Sequence, residues 1–271
     1  MDAHVTELAP RNKLVIKKLL IEKMGFTLPY YREKIYKFYL SKRENKSQTN
    51  TLDNLKSRAP FFNKIISDFF PKNKEVKILE IGCGCGSFAY YIKQNGYHNY
   101  TGIDSSEEQA RVAKKLKIDN IIFANLVDYI NNLGNESIDV LLAIDVIEHF
   151  TKEELSNLID NFYRVLRKKG VVISHQPNGE GVFGNAIRYG DFTHELAFTR
   201  NSITQIFLSS GFSSVSSYED KPITHGIKSR IRLFLWNYFV RQFYKFLLLV
   251  ERGWVDKNTI FTQNFLVVVK K

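Results

Sequence analysis

The sequence predicts an α/β protein built on a doubly wound, mostly parallel sheet, and three observations support this. Short apolar strands alternate with helical segments from residue 78 onward, which is typical of a parallel sheet. The first strand, ILEI at 78–81, runs into a loop with glycine at alternate positions and then into a helix. The last residues, IFTQNFLVVVKK at 260–271, predict a closing strand.

The chain of 271 residues divides into a helical N-terminal extension, 1–70, and an α/β domain, 71–271. Residues 10–50 are basic with interleaved aromatic residues, and a second helical segment runs from 52 to 70. The domain contains a glycine-rich loop at 178–200 and a helical insertion at 226–252. Between its strands the pattern predicts four helices, at 86–95, 106–117, 127–133 and 152–167.

The glycine loop at 82–86 predicts a nucleoside binding site. Alternate glycines let the backbone turn sharply and let a ligand lie against it. Asp104 ends the next predicted strand, where a carboxylate can accept hydrogen bonds from both hydroxyls of a ribose. The spacing differs from the Gly-x-Gly-x-x-Gly of dinucleotide sites, and no phosphate-binding lysine follows. For the loop alone, a plain turn is the alternative.

The pattern Glu-x-Gly-x-Gly-x-Gly at 80–86, with the landmarks that follow it, resembles motif I of the class I S-adenosylmethionine (SAM) methyltransferases. The resemblance implies a Rossmann-like, seven-stranded sheet whose last strand is antiparallel. It implies SAM as cofactor and S-adenosyl-L-homocysteine as product. The residues it assigns to the cofactor are Glu80, Gly82, Cys83, Gly84, Gly86, Asp104, Ser105, Asn125, Leu126 and Ile144.

Asn125 matches the position that binds the adenine amino group in that family, where aspartate is commoner. Leu126 would pack on the adenine ring. The alternative for Asn125 is a surface asparagine that ends a strand. The next helix begins directly after it, and Asp128 is the acid expected in a first helical turn.

The segment 144–149, IDVIEH, resembles motif IV of the same family. Helical spacing would put Asp145, Glu148 and His149 on one face beside the cofactor's methyl group. Ubiquinone-pathway O-methyltransferases have a Glu-x-x-Glu-His trio here that holds a divalent metal, whereas this chain has Asp first. We predict no metal. A helix cap is the alternative role for Asp145.

The segment 191–199, DFTHELAFT, resembles the methyltransferases encoded among surface-polysaccharide (capsule or lipopolysaccharide) genes, in which it shapes the acceptor pocket. This implies O-methylation of a sugar or sugar-linked precursor. His194 is our first choice for the general base and His149 the second, because histidine titrates near neutrality. A turn histidine bonded to its own loop is the alternative for His194.

We predict that Arg188, Asp191 and Glu195 bind the acceptor. A phosphate or phosphoramidate acceptor is already anionic and would need a cationic clamp such as Arg188 instead of a base. In the extension, Arg58, Tyr30 and Tyr31 are candidates for a lid over the cofactor, with plain packing as the alternative.

The formal net charge is +11, from 39 Lys plus Arg against 28 Asp plus Glu. Basic chains attract nucleic acids, phosphorylated substrates and acidic lipid surfaces. The lysines are dispersed, and the Asn/Asp-Pro-Pro-Tyr segment of base-methylating enzymes is missing, so we expect no nucleic acid partner. An RNA- or protein-directed methyltransferase and a non-catalytic SAM-fold partner are the other classes considered.

Cys83 and Cys85 both lie in the glycine loop, without the partner pair that a tetrahedral metal site needs. They predict a reduced, cytoplasmic protein, and residues 1–30 show no signal peptide.

Residues 228–254 are apolar and aromatic but are interrupted by arginine and lysine. The longest uncharged run, 233–240, falls short of the ~20 residues of a membrane span. A buried helix or a homodimer surface is the first expectation for this segment. A helix lying on an anionic membrane, at the inner membrane surface, is the alternative.

Overall fold

The computed structural model describes residues 29–39 and 55–271. Within these residues, the helices α1 (Tyr30–Tyr36) and α2 (Ala59–Phe69) precede the sheet. The rest of the predicted helical extension, 1–28 and 40–54, lies outside the described residues.

The core of the molecule is a single seven-stranded sheet. Its strands are β1 (Ile78–Ile81), β2 (Tyr100–Asp104), β3 (Ile121–Phe123), β4 (Ile138–Ile144), β5 (Leu166–Pro177), β6 (Ser214–Glu219) and β7 (Asn264–Lys270). The strand order is β3-β2-β1-β4-β5-β7-β6, and β7 lies antiparallel between β5 and β6. The predicted Rossmann-like fold with an antiparallel last strand is confirmed.

Helices fill the connections between the strands. They are α3 (Ser87–Gln94), α4 (Glu107–Lys115), α5 (Leu126–Asn131), α6 (Lys152–Val165), α7 (Gly184–Arg188), α8 (Arg200–Ser209), α9 (Ile227–Leu235) and α10 (Arg241–Arg252). A π-helical segment, Trp236–Val240, joins α9 to α10, and a 3-10 turn covers Ile147–His149. The four helices predicted between strands are all present, each with bounds within two residues of the prediction.

The sheet is apolar on both faces because its central strands are covered on both sides. On β4, Leu141 and Ala143 pack into one cluster with α5, α6 and α8. Val140 and Leu142 point the opposite way, into a second cluster with α2 and α3. This alternation follows the two-residue period of a strand. The carboxyl ends of the parallel strands are thereby held at one rigid edge.

Strand β5 contains a bulge around Gly170. Ile138 pairs with Leu166, whereas Val140 pairs with Val171, so the register shifts between the two pairs. Lys169 has a φ of 66°, and a Cβ at Gly170 would lie 2.8 Å from the carbonyl oxygen of Arg167. Beyond the bulge, β5 pairs regularly and ends near the site.

Helix α1 is anchored to the domain by a buried arginine. The side chain of Arg32 is 1% exposed, and its Nη1 lies 2.7 Å from Oε2 of Glu154 on α6. Its Nη2 lies 3.4 Å from Oε1 of Glu195, which also accepts a hydrogen bond from the hydroxyl of Tyr31. These contacts place α1 beside the loop 178–200.

The insertion at 226–252 forms one continuous helical rod, α9 to α10, lying on the outside of the molecule. No side chain of α10 is buried, and on α9 only Ser229 is. The expectation of a buried helix is therefore wrong, because most of the aromatic side chains of this segment point away from the core.

Among the residues that the structure describes, no helix combines the length and the apolar character needed to cross a bilayer.

Candidate active site

The glycine loop between β1 and α3 needs glycine for two physical reasons. Gly82, Gly84 and Gly86 have φ values of 65°, 57° and 80°, in the left-handed region that disfavours other residues. A Cβ at Gly82 would overlap Val146, and one at Gly86 would lie 2.8 Å from Cγ2 of Ile118. The loop is thus wound tightly and packed closely against its neighbours.

A cavity of about 410 Å³ opens above this loop, at the carboxyl ends of β1, β2 and β4. Nine of the ten residues predicted to hold the cofactor line this cavity. The tenth, Gly86, does not. His149 and His194 line the same cavity. The structure therefore brings together the predicted cofactor residues and both predicted catalytic histidines.

Asp104 is held by two backbone N–H groups at the end of β2. Its Oδ2 accepts a hydrogen bond from Gly84 N at 2.8 Å, and its Oδ1 accepts one from Ser106 N at 2.8 Å. Burial raises the pKa of Asp104 to about 6, although these hydrogen bonds oppose the rise. Each carboxylate oxygen keeps a lone pair, so the group can still accept hydrogen bonds from a diol.

Glu80 is buried beneath the cavity and accepts a hydrogen bond from the hydroxyl of Tyr100. Burial raises the pKa of Glu80 to about 8, so the carboxyl group is largely protonated at neutral pH. A cationic ligand in the cavity would favour its ionised form.

Asn125 is the N-cap of α5. Its Oδ1 accepts hydrogen bonds from Val127 N at 3.0 Å and Asp128 N at 3.1 Å. The same side chain lines the cavity. Because Oδ1 is occupied by the cap, the donor Nδ2 is the atom left to contact a ligand. It cannot accept from the adenine amino group but could donate to a ring nitrogen, and a contact with adenine stays a prediction.

Asp145, Glu148 and His149 all line the cavity, as expected, but helical spacing does not bring them together. The φ of Asp145 is 56°, and the helical turn begins only at Ile147, so Asp145 is not part of that turn. Oδ1 of Asp145 lies 2.5 Å from Nδ1 of His175, and its Oδ2 lies 3.4 Å from Nη2 of Arg58.

His175, which sequence reasoning did not single out, is the partner of the cavity-lining Asp145 and does not itself line the cavity. It is 3% exposed near the end of β5, and its Nε2 lies 3.4 Å from Oδ2 of Asp220. Burial alone would lower the pKa of His175, but Asp145 and Asp220 outweigh it and raise the pKa to about 10. The imidazolium is therefore clamped between two carboxylates. A lone histidine in the apolar run VVISH was the available signal.

The two histidines in the cavity have defined tautomers. His194 Nδ1 lies 3.0 Å from the carbonyl oxygen of Ile187, which only accepts, so Nδ1 carries the proton. The hydroxyl of Thr193 donates to Oδ1 of Asp191 at 2.6 Å, so it must accept from His149 Nδ1, 2.9 Å away. In the neutral form of each ring, Nε2 is therefore the nitrogen without a proton. Burial and the proximity of His194 lower the pKa of His149 to about 4, so this ring is neutral.

Glu148 completes a compact group with the two histidines. Its side chain is buried, and its Oε2 has no hydrogen-bond partner among the described residues. Burial and the charge of Asp145 raise the pKa of Glu148 well above its usual range. One ligand atom each from Glu148, His149 and His194 lies within 4.8 Å of the others, a set that could hold a cation. The trio suggested by the ubiquinone-pathway resemblance does not form, since Asp145 is paired with His175.

The loop 178–200 is attached to the turn after β4. The backbone oxygen of Glu148 accepts hydrogen bonds from Glu195 N at 2.8 Å and Leu196 N at 2.9 Å. Arg188 donates from Nη1 to the carbonyl oxygen of His194 at 3.0 Å, and Asp191 accepts from Thr193. Arg188, Asp191 and Glu195 thus shape the loop or anchor α1. Their contact with an acceptor stays a prediction.

Of the three lid candidates, Arg58 lines the cavity, and its guanidinium carbon lies 4.9 Å from the ring centroid of Phe62. Tyr31 binds Glu195, and Tyr30 is 78% exposed. Sequence reasoning did not single out four further lining residues from the extension, Arg32, Tyr36, Tyr39 and Phe62.

Residues 79–174 match the family described as Methyltransferase domain. The matched segment contains the glycine loop, Asp104 and the turn with Glu148 and His149. It therefore covers much of the cavity wall.

Curated relatives overlap with part of the chain. A tRNA N(3)-cytidine methyltransferase of Gallus gallus is 23% identical over 208 residues, covering 66% of this chain and 56% of the relative. A ubiquinone biosynthesis O-methyltransferase of Rickettsia bellii is 31% identical over 101 residues, covering 36% of this chain and 41% of the relative. The chain thus spans about half the length of these relatives.

Solved structures share the fold over most of the chain. A SAM-dependent methyltransferase from Archaeoglobus fulgidus has a TM-score of 0.60 at 17% identity, covering 90% of this chain and 100% of that chain. Phosphoethanolamine N-methyltransferase 2 of Haemonchus contortus, in complex with SAM, has a TM-score of 0.56 at 16% identity, covering 87% of this chain and 59% of that chain.

The fold is the Rossmann-like fold of SAM-dependent methyltransferases, and residues 79–174, which carry the glycine loop and Asp104, match a methyltransferase domain. The domain match and the SAM complex of the phosphoethanolamine N-methyltransferase support the predicted cofactor, S-adenosyl-L-methionine.

Proposed function

We propose that this chain methylates a hydroxyl group of a sugar, or of a sugar-linked precursor of a bacterial surface polysaccharide, with SAM as donor. One observation carries the choice of a hydroxyl acceptor. The imidazoles of His194 and His149 line the cofactor cavity, and because each Nδ1 donates a hydrogen bond, Nε2 is the atom of the neutral ring that can accept a proton. A neutral hydroxyl must lose its proton as it attacks, and a correctly oriented imidazole accepts it.

The cofactor would be held by residues whose geometry suits its parts. Asp104 presents carboxylate lone pairs to the ribose hydroxyls, and Nδ2 of Asn125 is free to donate to the adenine ring. Glu80 lies on the floor of the cavity, where its ionised form would neutralise a cationic ligand. When bound, SAM supplies an activated methyl group, so the protein mainly contributes alignment.

His194 is the better general base of the two histidines. Its Nδ1–H donates to the carbonyl of Ile187, which fixes the ring with Nε2 as the accepting atom. His149 has a pKa lowered to about 4, so it is a weak base that accepts hydrogen bonds. We assign proton removal to His194 and orientation of the acceptor hydroxyl to His149.

The sugar class rests on the resemblance of 191–199 to surface-polysaccharide methyltransferases, and this segment carries His194 in the structure. The relative named as a ubiquinone biosynthesis O-methyltransferase is consistent with an oxygen acceptor. A phosphate-type acceptor would be the alternative in the same pathway, with Arg188 as its clamp.

RNA is the competing acceptor class, because the chain carries a net charge of +11 and one relative is named as a tRNA methyltransferase. A transfer experiment separates these classes. The protein is incubated with methyl-labelled SAM and, separately, nucleotide-activated sugars, a lipid-linked glycan extract and total RNA. The variant His194→Gln is assayed beside the wild type, because it keeps a polar side chain of similar length.

We expect label in a sugar fraction, mapped to an O-methyl group by mass spectrometry, and its loss with His194→Gln. Label in RNA would contradict the proposed acceptor. A labelled phosphate oxygen that persists in His194→Gln would favour the phosphate alternative. Binding of SAM with no transfer to any pool would indicate a non-catalytic partner.

A further inference from the structure

The helical rod at 227–252 carries an exposed apolar stripe along its length. The stripe, called the outer stripe below, consists of Ile231, Phe234, Tyr238, Phe243, Phe246 and Val250, with exposed fractions from 53% to 70%. Most spacings are three or four residues, as expected for one face of a helix. The step of five between Tyr238 and Phe243 crosses the π-helical segment, whose wider turn keeps both on the same face.

The orientation of the rod is fixed by contacts on its inner face. Nε of Arg241 lies 3.3 Å from Oε2 of Glu219 at the end of β6, and its guanidinium carbon lies 5.4 Å from the ring centroid of Phe261. The ring of Tyr244 lies 6.1 Å from the same ring. The outer stripe is therefore held facing solvent, and large exposed apolar patches of this kind mark interaction surfaces.

Cationic side chains surround the outer stripe. The segment 227–252 contains one acid, Glu251, whereas Lys228, Arg230, Arg232 and Arg252 are exposed and Lys245 is half-buried. Within residues 29–39 and 55–271, none of these five cations takes part in an ion pair. Aromatic side chains flanked by free lysine and arginine match the boundary between acyl chains and anionic headgroups.

We propose that the outer stripe docks this protein on the surface of an anionic lipid bilayer. The apolar and aromatic side chains would enter the acyl boundary, while the arginine and lysine heads reach the phosphates. A second copy of the chain fits the same face poorly. A two-fold contact would bring the cations of both copies together with only one acid from each, which is repulsive.

The position of the rod gives this docking a consequence for the site. The rod follows β6, and the last residue of β6, Glu219, pairs with Phe265 of β7. Phe265 also pairs with Gln176, near the end of β5. The cofactor cavity opens at this same edge of the sheet. Docking would therefore orient the edge that carries the cavity with respect to the membrane.

Vesicle co-sedimentation tests the proposal with the full chain. One set of vesicles is phosphatidylcholine alone, and the other contains phosphatidylglycerol as the anionic lipid. Two variants alter the rod, Phe243→Ser with Phe246→Ser, and Lys228→Glu with Arg232→Glu. Two controls make the same kinds of change elsewhere, Leu208→Ser on α8, which is 47% exposed, and Lys114→Glu with Lys115→Glu on α4.

We expect the wild-type chain to partition about tenfold or more strongly onto the anionic vesicles, with weaker binding at high salt. Both rod variants should lose about tenfold in partitioning, while both controls bind like the wild type. Trp254, which is 63% exposed just beyond α10, should show a blue-shifted emission on anionic vesicles, measured in a Trp236→Phe background. Thermal unfolding and SAM affinity verify that each variant is folded.

Equal binding by the rod variants and their controls would overturn the proposal. So would equal partitioning onto both kinds of vesicle. A concentration-dependent dimer in light scattering, lost in Phe243→Ser with Phe246→Ser, would assign the outer stripe to a second copy instead.

Discussion

The imidazole rings of His149 and His194 meet edge to face, with their centroids 4.6 Å apart, although they come from separate elements. His149 lies on the turn after β4, and His194 lies in the loop 178–200. The backbone oxygen of Glu148 holds this loop in place through two hydrogen bonds. The site is therefore assembled by the attachment of the loop to the turn.

The first prediction concerns Asp104 and the ribose of the cofactor. Asp104→Asn should weaken SAM binding by about 10- to 100-fold, because charge-assisted hydrogen bonds to the carboxylate are lost. Since the pKa of Asp104 is about 6, wild-type affinity should also fall as pH drops from 8 to 5, as the carboxylate is protonated. Calorimetry measures both effects. Glu107→Gln, nearby on α4 and exposed, is the matched control and should bind normally.

The second prediction concerns Glu80 and proton release. The pKa of Glu80 is about 8, so its carboxyl group is mainly protonated at pH 7. The cationic cofactor should lower that pKa and expel a proton on binding. Calorimetry at pH 7 in two buffers of different ionisation enthalpy should therefore give different apparent binding enthalpies. The difference should vanish with Glu80→Gln, and in the wild type at pH 9.5. Identical enthalpies in both buffers would argue against this role.

The third prediction concerns metal at the group formed by Glu148, His149 and His194. If proton removal by His194 is the mechanism, a chelator should leave turnover unchanged, although the ligand atoms lie within 4.8 Å of one another. Turnover is measured before and after chelation and after addition of magnesium or zinc. A loss that one of these metals restores would assign the group to a cation.

The fourth prediction concerns the anchoring of α1 by Arg32 and Glu154. Both side chains are largely buried, and removing Arg32 leaves the charge of Glu154 buried without its partner. Arg32→Met should therefore lower the free energy of unfolding by about 3–5 kcal/mol. Arg200→Met, in the surface pair with Asp256, should cost less than about 1 kcal/mol. Denaturant unfolding of both variants makes the comparison. Equal losses of unfolding free energy in the two variants would show that burial of the Arg32–Glu154 pair adds nothing to its contribution to stability.

The sequence predicted the sheet, its strand-helix alternation and the cofactor side of the cavity, because those depend on local patterns. Gly82, Gly84 and Gly86 need positive φ, and Asp104 follows from its place at a strand end. Each of these signals can be read from a short segment of the chain at the end of its own strand.

Contacts between segments that are distant along the chain could not be predicted from such local patterns. Helical spacing grouped Asp145 with Glu148, whereas the left-handed backbone at Asp145 sends its side chain to His175 on β5. The proximity of His149 to His194 depends on how the loop 178–200 folds back. The rod at 227–252 is exposed because of where it packs on the sheet. The apolar composition of the segment does not specify that position.

His194 as general base is tested most directly by the turnover of His194→Gln with the acceptor that the transfer experiment identifies, compared with the affinity of the variant for SAM. We predict that kcat falls by about 10²–10⁴-fold, as expected for loss of a general base, while SAM affinity stays within about twofold of the wild type. His149→Gln should lose less activity than His194→Gln. Near-normal turnover of His194→Gln at unchanged SAM affinity would contradict the assignment of His194 as the base.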